Sequence, residues 1–303
     1  MTLTLSASAL WGLAPSLTKG ALAAFSPELI AFTRLGLGAV LCRLLAGSGQ
    51  PWVIRDRWLG LAGVALGADF VLYNNGVQRT TAAVAGLLVN VEMLTTIGLA
   101  VWLLGEKVTF RRLLGCAITL SGAIYLSLGG APIDVAIAGE RFLGNLLVMT
   151  ASICWSVYAV GQRRSQAPAG LFARLATIFL VAALTVAPSC LHADAWRISA
   201  GSREWAMLLG LTILCTVAVY WIYARAQELI DTSVLAILFC TIPMFSVGFA
   251  RLLLDEPITP QVLRGGLLIV AGVAVVATGA VERAARSPER RAGPQPENLE
   301  PLP

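Results

Sequence analysis

Residues 87–122 read LLVNVEMLTTIGLAVWLLGEKVTFRRLLGCAITLSG, and residues 237–272 read ILFCTIPMFSVGFARLLLDEPITPQVLRGGLLIVAG. Each copy is a long apolar run, a polar break carrying Glu, and a second apolar run with Gly at every seventh position. A constant offset of 150 positions relates them. It sets Tyr73 on Tyr223, Glu106 on Glu256, Thr109 on Thr259, Gly115 on Gly265, Gly122 on Gly272 and Gly129 on Gly279. Self-similarity at one fixed spacing is the mark of an internal repeat. The repeated unit is built from apolar runs of bilayer-spanning length, so the reading starts from a duplicated membrane protein.

The rest of the chain agrees. Its 303 residues are 57% hydrophobic and only 13% charged, against about a quarter charged in ordinary soluble domains. The net charge of +5 comes from basic residues scattered between apolar runs, which argues against a nucleic-acid partner. Six cysteines, at 42, 116, 154, 190, 215 and 240, form no CxxC pair. They indicate neither a disulfide framework nor a zinc site, and no metal or other cofactor is expected.

A bilayer-crossing helix needs about 20 mostly apolar residues. On that measure ten spans are expected: Leu3–Ala21, Pro27–Ala46, Trp58–Gly76, Ala82–Leu104, Leu113–Gly130, Phe142–Gln162, Leu171–Leu191, Trp205–Arg225, Thr232–Leu254 and Val262–Val281. The first is read as a membrane helix and not a cleaved leader, since no basic segment precedes it. Five spans fall in each half. The expected division is 1–130 for the first repeat, 131–141 for a connecting loop, 142–281 for the second repeat, and 282–303 for a disordered tail rich in Pro, Arg and Glu.

With the N-terminus inside, fourteen Lys and Arg fall on the cytoplasmic side and seven on the other, Lys19, Arg79 and Arg264 among the seven. That bias sets both ends in the cytoplasm. An odd number of helices per repeat then inverts the second half relative to the first. The fold class expected is all-α: a polytopic membrane protein of ten transmembrane helices in two inverted five-helix repeats. Inverted repeats commonly build secondary transporters with the substrate near the midplane.

The chain also resembles the EamA family of the drug/metabolite transporter superfamily. The residues that carry the resemblance are Trp11-Gly12, Lys19, Pro27, Arg34, the run from Tyr73 to Ala82, Asn90-Val91-Glu92, Leu104-Gly105-Glu106, Trp155, Pro243, Asp255-Glu256 and Gly272. It covers about Leu10 to Thr278. The resemblance implies a central cavity in the cell (inner) membrane and transport of a small metabolite, often outward. The family's substrates include amino acids, sugars and drugs. Two departures stand out: Met93 sits opposite Pro243, so a helix break at that level is asymmetric, and Gly105 sits opposite Asp255, which concerns helix ends.

Ionisable groups at membrane depth are costly and mark a functional site by default. Arg34, Asp69 and Glu92 meet that description. Glu92 lies roughly 15 Å into its helix at 1.5 Å per residue, and Asp69 sits at comparable depth in the preceding helix. Together the three are the candidate ion-coupling set. The competing reading makes them a structural ion pair that orients helices. Substrate contacts are assigned to Trp11, Tyr73, Asn74, Asn90, Trp155, Tyr158 and Tyr223, with Tyr220 and Phe239 as further aromatic candidates. The bland alternatives are interhelical hydrogen bonds and interfacial anchoring. Periodicity puts Asn90 and Glu92 on different helix faces. Thr109 and Thr259 are expected to cap helices, and the glycine stripes to let helices pack closely.

The function expected is secondary transport of an amino acid or related compound, in the efflux direction, by alternating access with proton coupling. The expected partners are that metabolite, the bilayer and a second copy in a homodimer. Two other classes remain open at this stage. An intramembrane enzyme lacks support, since only Asp69 qualifies as a deep Asp and the one histidine, His192, falls in a loop. A non-transporting scaffold or receptor has no need of three deep charges.

Overall fold

Every regular element in the computed structural model is helical among the residues it describes, which are 2–92, 95, 109–128, 139–196, 198–229 and 241–286. The first are α1 (Thr2–Ala21), α2 (Pro27–Ala46), α3 (Arg57–Arg79) and α4 (Ala82–Leu88), the last tightening into a 3₁₀ turn at Val89–Val91. Next come α5 (Phe110–Leu128), α6 (Glu140–Arg164) and α7 (Leu171–Val186). A π-helical turn at Ile213–Ala218 joins α8 (Ser202–Thr212) to α9 (Val219–Leu229), and α10 (Ile242–Leu254) and α11 (Pro260–Arg286) follow. Among the described residues, four stretches are long and apolar enough to cross a membrane: Pro27–Ala46, Glu140–Arg164, Leu171–Cys190 and Ser202–Ala226. Shorter apolar helices accompany them.

The helix ends carry the signals the sequence holds. Ser26 accepts a hydrogen bond from the Leu29 N–H at 3.1 Å, with Pro27 in the first helical position of α2. Thr259 caps α11 through the Val262 N–H at 3.2 Å, ahead of Pro260. Asp56 caps α3 through the N–H groups of Trp58 (2.8 Å) and Leu59 (3.0 Å), and accepts from the Ser165 hydroxyl at 2.9 Å. Burial acts to raise its proton affinity. Those three bonds and nearby Arg174 outweigh it and hold the carboxyl below the usual range. Asp255 ends α10 in the left-handed region, φ 53°, at the position where the other copy has Gly105.

α4 begins in a less local way. The Glu256 carboxylate, from beyond α10, accepts the Ala82 N–H at 2.8 Å and the Ala83 N–H at 3.0 Å. Although Glu256 stands four residues ahead of α11 in the chain, its carboxylate serves α4. Across the same joint Lys19 of α1 donates to the carbonyls of Val77 (2.9 Å), Gln78 (2.9 Å) and Thr80 (2.6 Å), closing the C-terminal end of α3.

Large apolar side chains are exposed on the outside, and several polar ones are buried among the apolar core. Leu44, Phe110, Leu191 and Leu252 are largely exposed on outward faces, while Arg34, Asn74, Asn145, Ser156, Thr177 and Thr216 are buried. That distribution suits lipid as the surrounding solvent. The largest buried cluster joins α2, α3, α6, α7 and α9 through Leu35, Leu66, Tyr158, Ile178 and Phe179. α5 and α11 pack through their glycines. A Cβ on Gly272 would meet the Thr119 N–H at 2.5 Å and the Gly115 carbonyl at 2.6 Å, so only glycine fits that crossing.

Where the ends of the expected spans fall on described residues, the helices agree with them to within about a turn; the end of the fourth span (Leu104) and the start of the ninth (Thr232) lie outside the described residues. α11 continues through residues 282–286, which were expected in the tail. Most of the expected connecting loop, Glu106, Met93, Phe239, Cys240 and residues 287–303 lie outside the described residues.

Candidate functional site

Within α3, Asp69, Phe70 and Tyr73 fall on one face by the i, i+4 rule, and that face turns toward α1, α2 and α6. Asp69 and Tyr73 line a cavity of about 100 Å³ together with Trp11 of α1, Arg34 of α2, Asn90 and Glu92 beyond α4, and Trp155 of α6. Cys215 and Tyr220 close it from the far half of the chain. Both halves therefore contribute walls. Seven of the ten residues assigned to substrate contact or ion coupling meet here, Arg34, Asp69 and Glu92 among them, as does the further candidate Tyr220.

The remaining three stand just outside that lining. Asn74 is buried, its amide donating to the Pro27 carbonyl at 3.0 Å, which ties α3 to α2. Tyr158 and Tyr223 form the outer shell of an aromatic cluster. Trp155 stacks edge or tilted against Trp11 (5.5 Å between centroids), Tyr158 (4.9 Å), Tyr220 (5.5 Å) and Tyr223 (5.9 Å). Trp11 in turn meets Tyr223 at 5.2 Å. Such edge-to-face pairs hold ring orientation as well as burying area.

Asn90 and Glu92 reach the same cavity although two residues apart. The reason is the 3₁₀ turn at Val89–Val91, which overwinds the chain after α4. The Asn90 amide donates back to the carbonyls of Gly86 and Leu87, both at 3.2 Å, and so occupies acceptors at that change of pitch. The backbone at Glu92 is tied to α6: its carbonyl accepts from Ser156 at 3.2 Å and from Thr95 at 2.9 Å, and Thr95 and Ser156 share a further short hydrogen bond. Glu92 is thus fixed through its main chain. Its carboxylate, like that of Asp69, makes no hydrogen bond or ion pair with any described residue.

Arg34 is 4% exposed and binds neither acid. Its Nε donates to the Thr216 hydroxyl at 3.1 Å and one Nη to the Cys215 carbonyl at 3.2 Å. Both acceptors sit in the π-helical turn of 213–218. The guanidinium also lies over the Phe70 ring, 4.5 Å from its centroid. The structural ion pair weighed from the sequence, Arg34 with Asp69 or Glu92, is not formed within 4.0 Å. Phe70, Ser152 and Cys215 were not singled out by the sequence reading. Only the spacing of Ser152 and Ser156 around Trp155 hinted at a polar stripe there.

Among described residues, no three His, Cys, Asp or Glu side chains are grouped so as to hold a metal ion. The arrangement offers two carboxylates with unused acceptors, one guanidinium with unused donors and a wall of aromatic rings.

The model of the EamA-like transporter family matches residues 1–128 and 142–278. A transporter of Archaeoglobus fulgidus, uncharacterized by its name, is 27% identical over 72% of this chain and 75% of its own. A protein of Streptantibioticus cattleyicolor named as a probable terminal-alkyne amino-acid exporter is 27% identical over 86% of this chain and 88% of its own. The aromatic amino acid exporter YddG of Ancylobacter novellus is 26% identical over 76% and 79%. One crystal structure superposes with a TM-score of 0.65 at 22% identity, covering 94% of this chain and 98% of that one, a likeness of fold.

Proposed function

Because the chain belongs to the EamA-like transporter family, we propose that it is a secondary transporter carrying an amino acid or related metabolite out of the cell by alternating access. The observation that carries this reading is the cavity itself, walled by both halves of the chain and holding Arg34, Asp69 and Glu92. Three ionisable groups at membrane depth are costly to keep, and a solute pathway is their commonest use. The names of two relatives, both amino acid exporters, support the substrate class.

In this mechanism ten spans form two inverted repeats that rock about the cavity and expose it to each side in turn. Glu92, with Asp69 in the same cavity, takes up the coupling proton on one side and releases it on the other. The free acceptors on both carboxylates suit them to exchange protons with water entering the cavity. Both termini lie in the cytoplasm, and the membrane is the inner one.

The test is flux in reconstituted vesicles, screening labelled amino acids and related metabolites, with wild type beside Glu92→Gln. A pH gradient is expected to drive wild-type flux. The variant is expected to retain solute exchange and to lose the response to the gradient. Should the variant respond as wild type does, Glu92 is not the coupling group. Should no metabolite cross under any gradient, the transport reading itself fails.

A further inference from the structure

Resting on the transport reading, we infer that Arg34 is the carboxylate anchor of this cavity, so that the site selects zwitterions over both simple amines and simple acids. A guanidinium carries five N–H donors in a fixed planar fork. Arg34 spends two of them, Nε on Thr216 and one Nη2 proton on the Cys215 carbonyl. These two lie along one edge of the fork, and the π-helical turn supplies both acceptors. Phe70 covers a flat face of the group. What is left is the terminal edge formed by Nη1 and Nη2, the edge that receives a carboxylate through two parallel hydrogen bonds.

Arg34 is buried and lines the cavity. A buried cation with unspent donors calls for an anion. The protein places two carboxylates in the same cavity and keeps both more than 4.0 Å from it. Opposite charges held apart in one cavity are complementary to a ligand that itself separates two charges. An α-amino acid fits that description. Its carboxylate takes the terminal edge of Arg34, and its ammonium takes Asp69 or Glu92. The side chain is then left to Trp11, Trp155 and Tyr220. An amine without a carboxylate would meet an unpaired guanidinium, and an acid without an amine would meet an unpaired carboxylate. Each misfit carries a desolvation penalty.

The experiment uses one carbon skeleton with either charge removed. Wild-type protein in vesicles is preloaded with L-phenylalanine, and exchange of labelled L-phenylalanine is competed by L-phenylalanine, phenethylamine, L-phenylalaninamide and 3-phenylpropionate. Wild type is expected to prefer L-phenylalanine over each of the other three by roughly tenfold or more. Arg34→Gln is expected to remove the preference over the two carboxylate-free amines while keeping the preference over the acid. Arg34→Lys is expected to restore part of it. Quenching of tryptophan fluorescence by the same compounds in purified wild type gives the ranking without any variant, so a misfolded Arg34→Gln protein leaves the inference testable.

If wild type takes phenethylamine as readily as L-phenylalanine, or if Arg34→Gln keeps the full preference, the inference is overturned while transport stands. If none of the series binds or exchanges, the same charge comparison is made on the skeleton of the solute that crosses in the wider screen; a crossing solute that lacks either charge overturns the zwitterion assignment alone. If nothing crosses in either assay, the transport reading fails with it.

Discussion

Glu256 is the side chain whose removal has the most readable outcome. Glu256→Ala removes the acceptors of the Ala82 and Ala83 N–H groups and leaves α4 only the Thr81 hydroxyl, which accepts from the Val84 N–H at 3.2 Å. A loss of about 1–2 kcal/mol is expected, read as a lower thermal midpoint in detergent, with Glu256→Gln in between. Asp56 gives a pH signature instead. Its carboxyl binds protons more weakly folded than unfolded, so its contribution is complete above the ordinary carboxylate value of about 4 and fades as pH falls toward the folded value. Comparing wild type with Asp56→Asn, the gap in midpoint should be present at pH 7 and should shrink below about pH 4. At this scale the sequence was informative about which charges line the cavity, because charge in an apolar run is conspicuous. It was silent about partners. Nothing in the spacing of Arg34 reveals that its acceptors lie 181 and 182 positions away.

Among elements, the contact between α5 and α11 makes the sharpest prediction. A side chain on Gly272 collides with backbone atoms, which cannot swing aside. Gly272→Val should cut the yield of folded protein, or lower its midpoint by an amount typical of overpacking, about 1–3 kcal/mol. The control is Gly36→Ala in α2, where a Cβ meets nothing within 4 Å. That change should be neutral or stabilising by up to about 1 kcal/mol. Equal losses at both positions would show that close approach is not why Gly272 is there. The seven-residue stripe made this contact legible in advance, and the apolar runs made the helices legible. The 3₁₀ turn at Val89–Val91 and the π-helical turn at Ile213–Ala218 were not. A hydrophobic period averages over several turns and passes over a single overwound or underwound one. Both exceptions border the cavity, and the first of them brings Asn90 and Glu92 together.

For the whole molecule, contacts divide the charged loops into two sets. Arg57 and Arg164 both lie over the Trp58 ring, and Asp56 accepts from Ser165. Lys19, Arg79 with Glu140 at 3.5 Å, and Glu256 gather about the α3–α4 joint. In the proposed orientation the first set faces the cytoplasm and the second the outside. Single cysteines at Gln166 and at Glu140, each in a protein stripped of native cysteines, should therefore differ in intact cells. A membrane-impermeant maleimide should label the second and spare the first; the reverse pattern would invert the topology. The duplication was legible because six pairs of like residues keep one offset; the joining of the halves was not, since a repeat says nothing of which ends touch. The Glu256 contact also has a consequence in time. The first turn of α4 is completed by a residue synthesised 174 positions later, roughly 10–30 s at ordinary rates of translation. Until then the Ala82 and Ala83 N–H groups of the nascent first half lack these acceptors, so a product truncated before Glu256 starts α4 on Thr81 alone.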